Sequence, residues 1–198
     1  ARVARDVGVP CFRGQTQDVV GRMLGTANAH NWDVLVRVTG DDLFKSCEYI
    51  EEALEVHVQY DRDYTRVAGL PWGLECEVID VATLARIYEA ITDKEHTEYV
   101  SWYLDSPWIC RNGVLRAEPQ HRCPQYRLSL DYPEDYELMR RIADTCHAAQ
   151  DDFYVSTTKL IDTLVALDPG WKHHDGLSPV GREDIDTRLE YGDQRPTC

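Results

Sequence analysis

The segment Asp33–Phe44, reading DVLVRVTGDDLF, constrains this chain more than any other. Val34, Leu35, Val36 and Val38 form a short, almost unbroken β-branched and aliphatic run. That is the pattern of a strand buried on both faces of a parallel sheet. The run stops at Thr39-Gly40, and Asp41 and Asp42 follow at once. In open α/β sheets, ligands bind in the crevice beyond the carboxyl ends of the strands. Two acids at that place make either a magnesium–phosphate site or a turn carrying solvated carboxylates.

The flanking sequence alternates strands with helices. Ala1–Gly8 reads as the end of a helix stopped by Gly8, and Val9–Arg13 as a short strand. Thr16 is a plausible cap for a helix reaching His30, with Val19, Val20, Met23, Leu24 and Ala27 on one stripe. A helix over Cys47–Val58 is expected to bury Ile50, Leu54 and Val58, and Tyr60–Val67 reads as a polar connection with at most a weak strand. The run up to Val78 places Glu75 and Glu77 on one face, and Asp80 can cap the helix of Leu84, Ile87 and Ile91. Another helix is expected to open at Lys94–Thr97, and short strands around Trp108–Leu115 and Tyr126–Leu130. Pro133, Glu134 and Asp135 suit the start of a helix, and Ser156–Leu167 reads as a last one. The pattern predicts an α/β domain over residues 1–167, with a mostly parallel sheet flanked by helices. Residues 168–198 lack periodicity and read as a polar, loosely ordered tail.

Composition removes several functions. A net charge of −14 with no basic stripe argues against a nucleic-acid partner. No apolar run approaches the ~20 residues of a membrane span. The 7 cysteines form no C-x-x-C pair, which points to reduced thiols in a cytoplasm rather than a disulfide framework. A triphosphate site in so acidic a chain requires cations, from bound metal or from a Lys/Arg loop. Asp131 follows the expected strand 127–130 much as Asp41 follows its own. It reads as a helix cap, a metal ligand, or both. Two carboxylates facing one crevice suit Mg²⁺, which takes one or two protein carboxylates and fills its octahedron with water and phosphate.

The blocks GVPCFRGQTQDVVGRM, VRVTGDDLF, GLECEVIDVATL, KEHTEYV and RLSLDYPEDYELMRRI follow one another over about Ala1–Ala149. In that order they resemble the SpsF-type cytidylyltransferases of spore-coat polysaccharide biosynthesis, relatives of the CMP-sialate and CMP-Kdo synthetases. The resemblance implies a GT-A-like nucleotide-diphospho-sugar transferase fold. It also implies transfer of CMP from CTP, with Mg²⁺, to a small anionic or phosphorylated sugar-type acceptor, and release of pyrophosphate. Asp41 and Asp131 fall on the family's catalytic, metal-binding aspartates, with Asp42 a candidate additional ligand. Arg13, Asp18 and Arg22 fall on the block bordering the nucleotide, or are a loop salt bridge and a helix-face pair. Glu75, Glu77 and His96 fall on the acceptor side, or are a solvated strand face and a helix-start histidine.

The departures are as specific as the matches. The family's Cys-Pro-Leu is Asp42-Leu43-Phe44 here, and its Thr-Val-Asp-Thr is Ser129-Leu130-Asp131-Tyr132. No block matches the family's opening strand, its Gly-rich basic phosphate loop or the strand after it. The expectation is therefore a sheet lacking its first two strands, completed by upstream residues or by a second chain, with a homodimer a further possibility. Two other functions stay open on the sequence: a non-catalytic fragment or subunit of such an enzyme, and a glycosyltransferase on the same fold.

Overall fold

Four short strands, β1 (Val34–Arg37), β2 (Tyr64–Ala68), β3 (Glu77–Asp80) and β4 (Asn112–Arg116), form one sheet in the order β1-β3-β2-β4. The computed structural model describes residues 1–105, 109–147 and 154–167, so the tail expected over 168–198 lies outside the described residues. β1 and β2 both pair antiparallel with β3, and β2 pairs parallel with β4. Three strands thus point the same way and β3 runs against them. The reversal has a simple cause: loop 69–76 is too short for a crossover helix, so β3 returns alongside β2.

The helices are α1 (Arg2–Asp6), α2 (Val19–His30), α3 (Cys47–Gln59), α4 (Val81–Ala90), α5 (Val100–Leu104), α6 (Pro133–His147) and α7 (Thr157–Leu167). Successive strand residues point to opposite faces, so each face of the sheet acquires its own core. Val67 and Val78 face Tyr49 and Ala53 of α3, Met139 and Ile142 of α6, and Leu160 and Leu164 of α7. Tyr64 and Ile79 face Val20 and Leu24 of α2, Leu84 and Ile87 of α4, and Val100 and Leu104 of α5. Helices on both faces of one mixed sheet make the α/β class.

Several local features differ from the sequence pattern. Val9–Arg13 is not a strand; the Phe12 ring lies on α2, where a Cβ at Gly25 would fall 2.6 Å from it. The cap of α2 is Asp18, whose carboxylate accepts the Gly21 N–H at 2.7 Å, and not Thr16. β1 sits at an edge of the sheet, and all four of its residues are half-buried. No strand among the described residues pairs with the outer side of its apolar run.

On α3 the inward positions belong to Tyr49, Ala53 and His57, while Val58 is 70% exposed. His57 takes the inward place because its ring nitrogen bonds the Thr65 hydroxyl at 3.1 Å. β2 was hidden in a stretch that reads as polar. Its polar side chains are paired internally, Thr65 with His57 and Tyr64 with Glu77. The expected strand at Tyr126–Leu130 is reduced to a single parallel bridge between Trp72 and Arg127. The helix expected to open at Lys94 starts at Val100, and His96 adopts a left-handed turn with φ +62.

Candidate functional site

Three connections converge beyond the carboxyl end of β1: the loop Thr39–Lys45, the loop 69–76, and the segment 126–131 that leads into α6. Backbone hydrogen bonds hold them in register. Leu128 N–H donates to the Trp72 carbonyl at 2.6 Å, Trp72 N–H to the Tyr126 carbonyl at 2.9 Å, and Leu130 N–H to the Asp41 carbonyl at 2.9 Å. Gly73 makes this approach feasible. It has φ +99, and a Cβ there would sit 2.6 Å from the Leu128 carbonyl oxygen.

The convergence brings Asp41 and Asp131 to one hydroxyl. Ser129 Oγ lies 3.2 Å from Asp41 Oδ2 and 3.3 Å from Asp131 Oδ2, so the two carboxylates are no further apart than those distances combined. One hydroxyl carries one proton and donates to one carboxylate at a time. Desolvation would raise the Asp41 carboxyl. Hydrogen bonds from Thr39, from its own backbone amide and from Ser129, together with the nearby Lys45 ammonium, outweigh that and hold it below the usual range.

Asp131 is aimed from behind. Arg127 is 7% exposed and forks onto both oxygens of Asp135, at 3.0 and 2.9 Å, while its other terminal nitrogen meets Asp131. Asp135, 2% exposed, also accepts the backbone N–H groups of Asp131 and Tyr132 at 2.9 and 2.8 Å. That is half of a capping box at the start of α6. The cap is thus Asp135, and the Asp131 side chain, 43% exposed, is left facing outward.

From this acidic end a cleft of about 800 Å³ runs toward the start of α5. Asp41, Asp42, Glu75, Glu77, Ser129 and Asp131 all line it. Its cations are already engaged. Arg37 pairs with Glu77, Lys45 with Asp42 at 2.8 Å, and Arg66 Nε stands 3.5 Å from Asp105 without hydrogen-bond geometry. Glu77 additionally accepts the Tyr64 hydroxyl at 2.6 Å. Near the far end Tyr99 and Trp102 stack with ring centroids 4.3 Å apart and 9° between planes. Burial is the largest influence on Glu75 and, despite Arg66 and Lys45, pushes its carboxyl up to about 7.

Not every expected residue joins the cleft. Arg13 is exposed, and Arg22 donates to the Gln15 and Thr16 carbonyls at 2.8 and 3.0 Å, clasping the loop ahead of α2. Asp18 caps α2 and accepts the Tyr88 hydroxyl at 2.6 Å. His96 is exposed, and its neighbour Thr97 accepts the Val20 N–H at 3.1 Å. Arg37, Lys45, Arg66, Arg127 and the Tyr99–Trp102 pair escaped the sequence reading. Ser129 was visible only as a hydroxyl two residues before Asp131.

The donor set fits a hard divalent cation. Asp41 and Asp131 offer two carboxylates to the cleft, which is the usual protein share for Mg²⁺. Asp42 does not add a third in this geometry, because its carboxylate is held by Lys45 and by the Thr39 hydroxyl at 2.7 Å. Among the described residues no group of three or more His, Cys, Asp or Glu is arranged to hold a metal ion.

No protein-family model matches the chain. The spore coat polysaccharide biosynthesis protein SpsF of Bacillus subtilis (strain 168) is 31% identical over 160 residues, which are 79% of this chain and 65% of that protein. The uncharacterized protein MJ1063 of Methanocaldococcus jannaschii is 27% identical over 137 residues, 69% of this chain and 56% of that one. The chain therefore spans less than two thirds of either curated relative. A cytidylyltransferase structure from Leptospira borgpetersenii serovar Hardjo-bovis (strain JB197) superposes with a TM-score of 0.72 at 21% identity, covering 90% of this chain and 74% of that one. At that identity the likeness establishes the fold.

Proposed function

We propose that this chain, which is similar in sequence to the spore coat protein SpsF and has the fold of a cytidylyltransferase, moves CMP from CTP to a small sugar-type acceptor, with Mg²⁺, releasing pyrophosphate. The observation that carries this reading is the meeting of Asp41 and Asp131 at the Ser129 hydroxyl, from two segments far apart in the chain. When bound there, magnesium would neutralise charge on the phosphates and hold them for in-line displacement.

The chain's own residues have distinct parts in this reading. Asp41 and Asp131 would hold the metal, Ser129 bridges the two carboxylates, and the buried Arg127–Asp135 pair positions Asp131 at the cleft. Glu77 anchors Arg37, whose second terminal nitrogen donates to the Glu98 carbonyl at 3.0 Å. Tyr99, Trp102 and Trp72 offer flat apolar faces against which a sugar ring can lie. Arg13 would meet the nucleotide from a loop that Asp18 and Arg22 shape, and His96 would stand near the acceptor. The outer edge of β1 is where a further strand, of this protein or of a second chain, would pair.

Among the described residues no helix is long and apolar enough to cross a membrane. The six described cysteines are all free thiols, which suits a reducing cytoplasm. The test is pyrophosphate release from CTP compared with ATP, GTP and UTP, in Mg²⁺, across a panel of sugar acceptors. CTP should be preferred, and both Asp41→Asn and Asp131→Asn should fall to background. Turnover that survives in both variants would exclude these residues as the metal ligands.

A further inference from the structure

We propose that the Glu75 carboxylate is the general base of this site, taking the proton of an acceptor hydroxyl as that oxygen attacks the α-phosphorus of the nucleotide. This rests on the nucleotidyl-transfer reading above and names both the catalytic group and the kind of nucleophile it serves.

Position is the first argument. Glu75 lines the same cleft as Asp41 and the Tyr99–Trp102 pair. Its backbone is tied to the acidic loop, because Lys45 Nζ donates to the Glu75 carbonyl at 2.6 Å while holding Asp42 at 2.8 Å. Ser46 N–H reaches the preceding carbonyl, of Leu74, at 3.5 Å. The residue is thus held beside the loop that carries the first metal carboxylate.

Commitment is the second. Asp42 answers Lys45, Glu77 answers Arg37 and Tyr64, Asp105 answers Arg66, and Asp131 answers Arg127. Among the described residues Glu75 has no such side-chain partner; the backbone amide of Gly69 is its hydrogen-bond donor. The groups facing it are Lys45 from the acidic loop, Arg66 from β2 and Glu77 from β3. Burial outweighs the two cations and leaves its carboxyl near 7, the range in which a base accepts and releases protons readily.

The nucleophile follows from the charges. A phosphate monoester needs no base, and it would bring two negative charges to a cleft whose cations are already paired. A hydroxyl needs a base and adds no charge. In the step, the O–H proton passes to Glu75 as the new O–P bond forms. The bond between the α-phosphorus and the bridging oxygen breaks, pyrophosphate leaves with that electron pair, and Glu75 then returns its proton to water.

The experiment measures pyrophosphate release from CTP and Mg²⁺ over about pH 5.5–9, the range that brackets such a base. Two acceptor panels are used, sugars presenting only hydroxyls and sugar phosphates, with wild type and Glu75→Gln. A carboxyl ¹³C titration of Glu75 runs in parallel. Expected are turnover with the hydroxyl panel and a wild-type kcat that falls on the acid side of about pH 7. The Gln variant should lose about 10²–10⁴-fold in kcat with that limb abolished and KM for CTP unchanged. Should the Gln variant fail to fold, Glu75→Asp and the wild-type titration decide. Equal use of sugar phosphates, an unchanged pH profile in the variant, or titration in the ordinary carboxylate range each overturns the role of Glu75 alone. Absence of CTP turnover with either panel overturns the nucleotidyl-transfer reading as well.

Discussion

Lys45 closes an ion pair on Asp42 at 2.8 Å, with the two side chains 16% and 12% exposed. The pair gives the second acid of the loop a structural partner. In this geometry the Asp42 carboxylate is paired with Lys45, and we propose that it stays outside the metal's ligand set. Asp42→Asn should therefore leave Mn²⁺ affinity, read by calorimetry or electron paramagnetic resonance, within about twofold of wild type, whereas Asp41→Asn weakens it at least about tenfold. Lys45→Met leaves a part-buried carboxylate without its partner and should cost about 1–3 kcal/mol in urea unfolding. Equal loss of metal affinity in Asp42→Asn and Asp41→Asn would return Asp42 to the ligand set.

Arg127 should prove irreplaceable by lysine. Its fork serves Asp135 with two hydrogen bonds and Asp131 with its remaining terminal nitrogen, and an ammonium cannot reproduce that plane. Removing one partner of a buried pair typically costs about 3–5 kcal/mol. Arg127→Met should lose stability in that range, with metal affinity falling in parallel because Asp131 is no longer aimed. Arg127→Lys should recover part of the stability but not the metal affinity. Wild-type affinity in Arg127→Lys would show that Asp131 does not depend on the fork.

Gly73→Ala combines a strained backbone with a 2.6 Å approach to the Leu128 carbonyl. Relief requires the segment carrying Ser129 to move away from loop 69–76. Expected is a loss of about 1–3 kcal/mol, accompanied by weaker metal binding, whereas Gly40→Ala, with open space around it, should change neither. A Gly73→Ala protein as stable as wild type would mean that the three connections are not interlocked.

His57 sets one limb of the pH dependence of stability. Burial is the largest influence and holds its imidazole below the ordinary value, against Asp80, Asp63 and Asp61, which favour the charged form. The unfolded chain protonates this histidine at about pH 6.5, before the folded one does. Its contribution is therefore fully present above that pH and lost as pH falls from about 6.5 through the lower folded value. Denaturant midpoints should fall with acidification over that window and flatten in His57→Gln. An unchanged slope in the variant would remove His57 as the source.

Much of the site was legible in the chain. DVLVRVTGDDLF announced an acidic loop beyond a strand, and RLSLDYPEDYELM announced a second acid ahead of a helix, because strand and cap signals are local. The partnerships were not legible. Whether β1 is central or at an edge depends on pairing, which no property of Val34–Arg37 alone determines. β2 read as a connection because Thr65 and Tyr64 look polar until His57 and Glu77 are placed beside them. Arg13, Asp18 and Arg22 fall on one block of the resembled family, but that Asp18 caps α2 and Arg22 clasps the loop before it emerges only from the fold. Ser129 gains its place only when loop 39–45 and segment 126–131 are brought into register by Leu130 and Asp41.

In the proposed reading Asp41 and Asp131, joined at Ser129, hold the metal that brings CTP into the cleft. Calorimetric titration of CTP into the wild-type protein, Asp41→Asn and Asp131→Asn, each with and without Mg²⁺, tests it most directly. The expected result is Mg²⁺-dependent binding in wild type that is lost in both variants. Wild-type binding of CTP that ignores Mg²⁺, or that persists undiminished in both variants, would contradict it.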